Sequence, residues 1–106
     1  MDPSPVDILH QAKDRLHAAF GPRLKGVLIY GSRARGEARP DSDVDLMVLL
    51  EGPIHFGKDL QTIVHGLYPL QLDSDRLIDA WPVDIESYES QQFAVYRNAK
   101  REGVML

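Results

Sequence analysis

Gly31–Leu46 reads GSRARGEARPDSDVDL, and the architecture follows from what this stretch joins. It opens where one apolar run ends and closes inside the next. Upstream, Leu24–Tyr30 (LKGVLIY) is short, apolar and β-rich, which predicts a buried strand. Downstream, Asp43–Leu50 (DVDLMVLL) predicts a second strand. Between them, Ser32–Gly36 suits a tight turn or short helix, and Arg39-Pro40-Asp41-Ser42 is turn chemistry.

Both ends of the connection have chemical meaning. Gly31 lets the chain turn sharply after a strand and lets a ligand come close to the backbone. Amides at the start of a helical turn, with the Ser32 hydroxyl, make an anion site of the kind that cradles phosphate. Gly-Ser after a strand is also a common plain turn. At the other end, strand side chains alternate, so Asp43 and Asp45 share a face with Cα atoms about 6.5–7 Å apart. Val44, Leu46, Val48 and Leu50 take the core side. Two carboxylates so placed repel unless a cation or proton intervenes. Mg²⁺ answers that need, shared between carboxylates and substrate phosphates. Two such ions about 3.5–4 Å apart support in-line phosphoryl displacement. An isolated Asp-x-Asp is more often a solvated strand start or a turn cap.

On the N-terminal side, Ser4–Phe20 predicts a helix. Ser4 caps it, Pro5 suits its first position, Asp7 follows as in a capping box, and Val6, Leu9, Leu16 and Ala19/Phe20 form one stripe. Gly21-Pro22 ends it. On the C-terminal side, Leu60, Ile63, Val64 and Leu67 mark a helix over about Gly57–Tyr68, followed by a loop from Leu72 to Asp75. Leu77–Ile85 predicts a third strand, interrupted or bulged at Trp81-Pro82 because proline cannot donate to a ladder. Ser87 or Ser90 begins a last helix reaching Glu102, Gly103 stops it, and Val104–Leu106 is an apolar tail suited to covering the sheet or meeting a partner. Alternation of helices and strands predicts an α/β (α+β) class: a small mixed sheet with helices packed on it.

The chain has 106 residues and no cysteine. That length predicts one domain over residues 1–106, and the absence of cysteine excludes a disulfide framework, thiolate zinc and a cysteine nucleophile. No apolar run approaches the roughly 18 residues needed to span a bilayer, and Met1–Val6 has no signal-peptide character, so a cytoplasmic protein with no membrane partner is expected. The net charge of −4 argues against an extended nucleic-acid surface. The four histidines, His10, His17, His55 and His65, show no ligand spacing. Trp81, Tyr88, Phe93 and Tyr96 suit helix packing better than base stacking, and Tyr30 either lines a nucleotide pocket or joins the core.

Ser32, the ten residues from Arg33 to Ser42, then Asp43-Val44-Asp45 together resemble the signature of the DNA polymerase β type nucleotidyltransferase superfamily. The longer match, GSRARGEARPDSDVDL, resembles its minimal nucleotidyltransferase (MNT) group, and the likeness runs to the tail REGVML. The resemblance implies a palm-like fold and a nucleoside triphosphate substrate, ATP by preference. It implies that Gly31 and Ser32 hold the β- and γ-phosphates, with Arg33 the first choice among Arg33, Arg35 and Arg39 for a further contact. Asp43 and Asp45 would bind two Mg²⁺ ions. A third carboxylate is implied on a later strand: Asp84 in PVDIES is the first choice and Asp79 in LIDAW the runner-up. The group also implies a HEPN-type protein partner in a toxin–antitoxin pair, with AMP moved from ATP to a tyrosine of the toxin. A non-catalytic antitoxin acting by complex formation and an aminoglycoside-type small-molecule nucleotidyltransferase are the alternatives. Base specificity and homo- or hetero-oligomeric state stay open.

Overall fold

The computed structural model describes residues 5–30, 44–74 and 77–106. Helix α1 (Pro5–Phe20) gives way to a 3-10 turn at Gly21–Arg23 and then to β1 (Leu24–Tyr30). Strand β2 (Val44–Leu50), α2 (Phe56–Asp73), β3 (Ile78–Asp84), α3 (Ile85–Glu89), α4 (Ala94–Glu102) and β4 (Val104–Met105) follow. The sheet order is β3-β2-β1-β4. β2 and β3 are parallel, joined through α2, while β1 is antiparallel to both β2 and β4. This is the mixed sheet with packed helices that the alternating pattern predicts. Among the described residues no helix is long and apolar enough to cross a membrane.

Both sheet faces are covered. On one, Leu9, Ala12, Leu16 and Phe20 of α1 and Ile63, Leu67 and Leu70 of α2 pack on Val27, Ile29, Val44, Leu46, Val48 and Leu50. On the other, Tyr88 of α3 and Ala99 of α4 pack on Leu28, Met47, Leu49 and Val83. The core side expected for Val44, Leu46, Val48 and Leu50 is therefore one of two. β1 contributes to both by a device invisible in its sequence. The pairing slips between Leu24, opposite Leu50, and Gly26, opposite Leu49. The extra residue, Lys25, resets the alternation, so Leu24 and Val27 reach the same core although three positions apart.

Gly21 stops α1 with a φ of +57°, a conformation that glycine adopts without strain. The turn is then bolted down. Arg23 grips buried Asp59 of α2 with its two terminal guanidinium nitrogens, Nη1–Oδ1 at 3.0 Å and Nη2–Oδ2 at 3.1 Å. Its Nε donates to the Glu51 carbonyl, and the His55 amide also donates to Asp59. The Arg23 hydrogen bonds hold the Asp59 carboxyl below its usual range, and that pairing raises Arg23.

Three expected boundaries move. α2 runs through Pro69 to Asp73, so the loop expected from Leu72 is helix up to that point. Proline there forfeits one internal hydrogen bond, but Leu67 and Leu70 on either side are buried and hold the last turns to the sheet. β3 is continuous across Trp81-Pro82. It is an edge strand, where alternate amides have no ladder partner, so an imino nitrogen costs nothing at such a position. The single C-terminal helix is two. α3 starts at Ile85 with Asp84 as its cap rather than at Ser87 or Ser90, and Gln91, at φ 55°, breaks the chain before α4. The apolar tail completes the sheet as β4, with the Leu106 amide bonded to the Val27 carbonyl.

Candidate active site

The end of the sheet where β1 finishes and β2 begins is also where β3 begins. Tyr30 lies opposite Asp45, and Asp45 lies beside Asp79. Paired residues of adjacent strands point to the same face, so these three form one row across the sheet. The next row inward is Leu28, Met47 and Trp81, from the apolar cluster beneath α3 and α4. Asp45 is thus on the opposite face from Val44 and Leu46, as alternation requires, and it is half-buried while Asp79 is exposed. Neighbouring strands run about 4.8 Å apart, so the two side chains leave the sheet at adjacent positions.

Asp84 does not belong to this row. The register sets it beside Leu50, five residues along β3 from Asp79. At about 3.3 Å per residue that is roughly 16 Å away, and its odd spacing from Asp79 points it to the other face. Its carboxylate is already engaged elsewhere, since Oδ1 accepts from the Glu86 amide at 2.8 Å and caps α3. It also sits against Gly52, where a side chain would collide with it. Of the two candidates for the third carboxylate, the register thus sets the runner-up, Asp79, beside Asp45 and the first choice, Asp84, away from it. Sequence alternation could not make this choice, because it fixes faces within a strand and not the register between strands.

Gly31, Ser32, Arg33, Arg35, Arg39 and Asp43 lie outside the described residues. The described residues that flank them in sequence, Tyr30 and Val44, both lie at this end of the sheet. Among the described residues no group of three metal-ligating side chains comes together. Asp45 and Asp79 supply hard oxygen donors on one face, which is the donor chemistry that Mg²⁺ requires. The histidines are exposed. Tyr88 is buried, and desolvation pushes its phenol up. Its ring meets Tyr96 edge-on at 6.4 Å, and Tyr96 meets Phe93 at 5.6 Å, an aromatic chain that fastens α3 to α4.

The nucleotidyltransferase domain family matches residues 9–103. The chain belongs to that family. A crystal structure of a Sulfolobus solfataricus protein assigned as a nucleotidyltransferase superposes with a TM-score of 0.63 at 19% identity. The match covers 94% of this chain and 79% of that one, and at this identity it speaks for the fold. No curated protein matches the sequence significantly. This nucleotidyltransferase domain therefore carries the family's sheet, with Asp45 and Asp79 side by side at the end where β1 hands over to the Gly-Ser segment.

Proposed function

We propose that the protein transfers a nucleoside monophosphate, AMP from ATP, to a hydroxyl group. The observation that carries this reading is the β2–β3 register, which sets Asp79 beside Asp45 in a chain of the nucleotidyltransferase family. In the proposed reaction the acceptor oxygen bonds to the α-phosphorus and the bond to the β-phosphate bridging oxygen breaks. Pyrophosphate departs, and the acceptor proton goes to a carboxylate or to solvent.

Asp43, Asp45 and Asp79 would hold the divalent ions, which when bound neutralise phosphate charge and ease acceptor deprotonation. Gly31 and Ser32 would take the terminal phosphates, and Arg33 would add a guanidinium contact. Asp45 is anchored by strand pairing on both sides, so its backbone does not need to reorganise when the triphosphate arrives. Met47 and Trp81, one row inward, form an apolar floor that strengthens electrostatic contacts above it.

The acceptor we propose is a tyrosine of a HEPN-type partner, with this chain as antitoxin. The support is the likeness of GSRARGEARPDSDVDL to minimal nucleotidyltransferases. The test is incubation with labelled ATP, Mg²⁺ and the protein encoded beside this one. Label on a tyrosine of that neighbour, lost in the Asp43→Asn/Asp45→Asn double variant, is the expected result. An unlabelled neighbour, or full rescue of toxin-inhibited growth by the double variant, would contradict it.

A further inference from the structure

Trp81 is the one tryptophan of the chain, and it lies on β3, at the edge of the sheet. It is two residues along that strand from Asp79, on the same face, with Cα atoms about 6.6 Å apart. Its own row is Leu28, Met47 and Trp81. The first two are buried beneath α3 and α4, while Trp81 keeps part of its surface in water. Tyr88, Tyr96 and Phe93 are occupied in fastening α3 to α4. Trp81 makes no ring contact and no hydrogen bond among the described residues, although a tryptophan N–H taken out of water usually finds a partner.

The direction of the reaction decides which substrate meets this side chain. Displacement at phosphorus runs in line, with the attacking and departing oxygens on opposite sides. In the proposed transfer the terminal phosphates go to Gly31 and Ser32, which follow β1 in the chain. Tyr30, the last residue of β1, is on one side of Asp45 and Asp79 is on the other. Pyrophosphate then departs on the β1 side and the acceptor arrives from the β3 side. Among the described residues no further strand stands beyond β3.

We infer that Trp81 is the acceptor platform: the ring of a tyrosine lies against the indole, which brings its hydroxyl to the carboxylate row. This inference rests on the proposed transfer reaction. The phenol oxygen bonds to the α-phosphorus as the bond to pyrophosphate breaks, and the phenol proton passes to a carboxylate or to solvent. An indole face suits an aromatic ring. It suits a polyhydroxylated sugar less, because such an acceptor needs several hydrogen-bond partners, and Leu28, Met47 and Trp81 offer only the indole N–H from their side chains.

As the sole tryptophan, Trp81 reports its own contacts by fluorescence. The probes are N-acetyltyrosinamide and N-acetylserinamide, added to the full chain with Mg²⁺ and an ATP analogue that cannot be cleaved between its α- and β-phosphates. N-acetyltyrosinamide should change the indole emission saturably, while N-acetylserinamide and the nucleotide alone leave it near its starting value. With labelled ATP, Trp81→Ala should raise KM for N-acetyltyrosinamide about five- to tenfold and leave KM for ATP unchanged, and Trp81→Phe should restore most of the loss. A saturable change caused by nucleotide alone would place the base on Trp81 and overturn the inference. A response to N-acetyltyrosinamide no greater than that to N-acetylserinamide would overturn it too. If Mg²⁺ with ATP failed to raise the melting temperature of the wild type, the transfer reaction itself would fall, and the inference with it.

Discussion

Asp59→Asn isolates the charge of the latch between the 3-10 turn and α2. The substitution keeps the size of the side chain and removes the charge that Arg23 grips through bonds of 3.0 and 3.1 Å. Asp59 is 3% exposed, so water cannot replace what is lost on its side. The amide can still accept one bond, from Arg23 or from His55, but its NH₂ would face donors. Removing one partner of a buried pair costs about 3–5 kcal/mol when the other charge stays buried. Here the Arg23 side chain is 37% exposed and can rehydrate, which lowers the expected loss to about 2 kcal/mol. For a domain of this size that is roughly 10 °C in melting temperature. Calorimetry or denaturant titration monitored by circular dichroism reads it directly. A fall of less than about 2 °C would refute the view that this pair fastens the 3-10 turn to α2.

The same pair sets an acid limb. The Asp59 carboxyl lies below its ordinary value of 3.8, so its stabilisation is complete above that pH and is lost as pH falls through the folded value. Stability of the wild type should therefore drop more steeply than that of Asp59→Asn below about pH 4, and parallel acid limbs would contradict this assignment. Gly103→Ala should cost about 2 kcal/mol or more and loosen β4. Its Cβ would meet the Ala99 carbonyl and the Leu28 side chain, and the carbonyl cannot step aside without unwinding α4. Unchanged amide protection at Leu106 in that variant would show the contact to be harmless. Leu16→Ala, at a fully buried position between α1 and the sheet, should destabilise by about 2–5 kcal/mol in the same denaturant assay.

How far the residues announced this structure depends on the range of the interaction involved. Leu24–Tyr30 is bounded as its apolar run suggested, because a glycine closes the run and the pattern within it is local. The turn at Gly21-Pro22 was legible for the same reason. The bulge at Lys25 was not, since it exists only relative to β2. The extension of α2 through Pro69 depends on burial of Leu70 against the sheet, a tertiary gain that overrides local preference. The split between α3 and α4 turns on a non-glycine residue at positive φ, which has no sequence marker. At the site, Asp45 could be placed by alternation, but the choice between Asp79 and Asp84 could not. It depends on how far β3 slides along β2, which the α2 crossover sets. The Arg23–Asp59 latch joins residues 36 positions apart and has no local signature.

Everything proposed for the site depends on Asp79, and not Asp84, completing the carboxylate set with Asp43 and Asp45. Titration of Mg²⁺ with ATP against the melting temperature of wild type, Asp79→Asn and Asp84→Asn tests this without requiring the acceptor. Ligand at about 100 times its dissociation constant stabilises by about 2.7 kcal/mol, a rise of roughly 10 °C or more here. Wild type and Asp84→Asn should show this rise, with Asp84→Asn starting close to wild type because its amide oxygen can still cap α3, and Asp79→Asn should lose most of it. A full rise in Asp79→Asn together with its loss in Asp84→Asn would contradict the assignment.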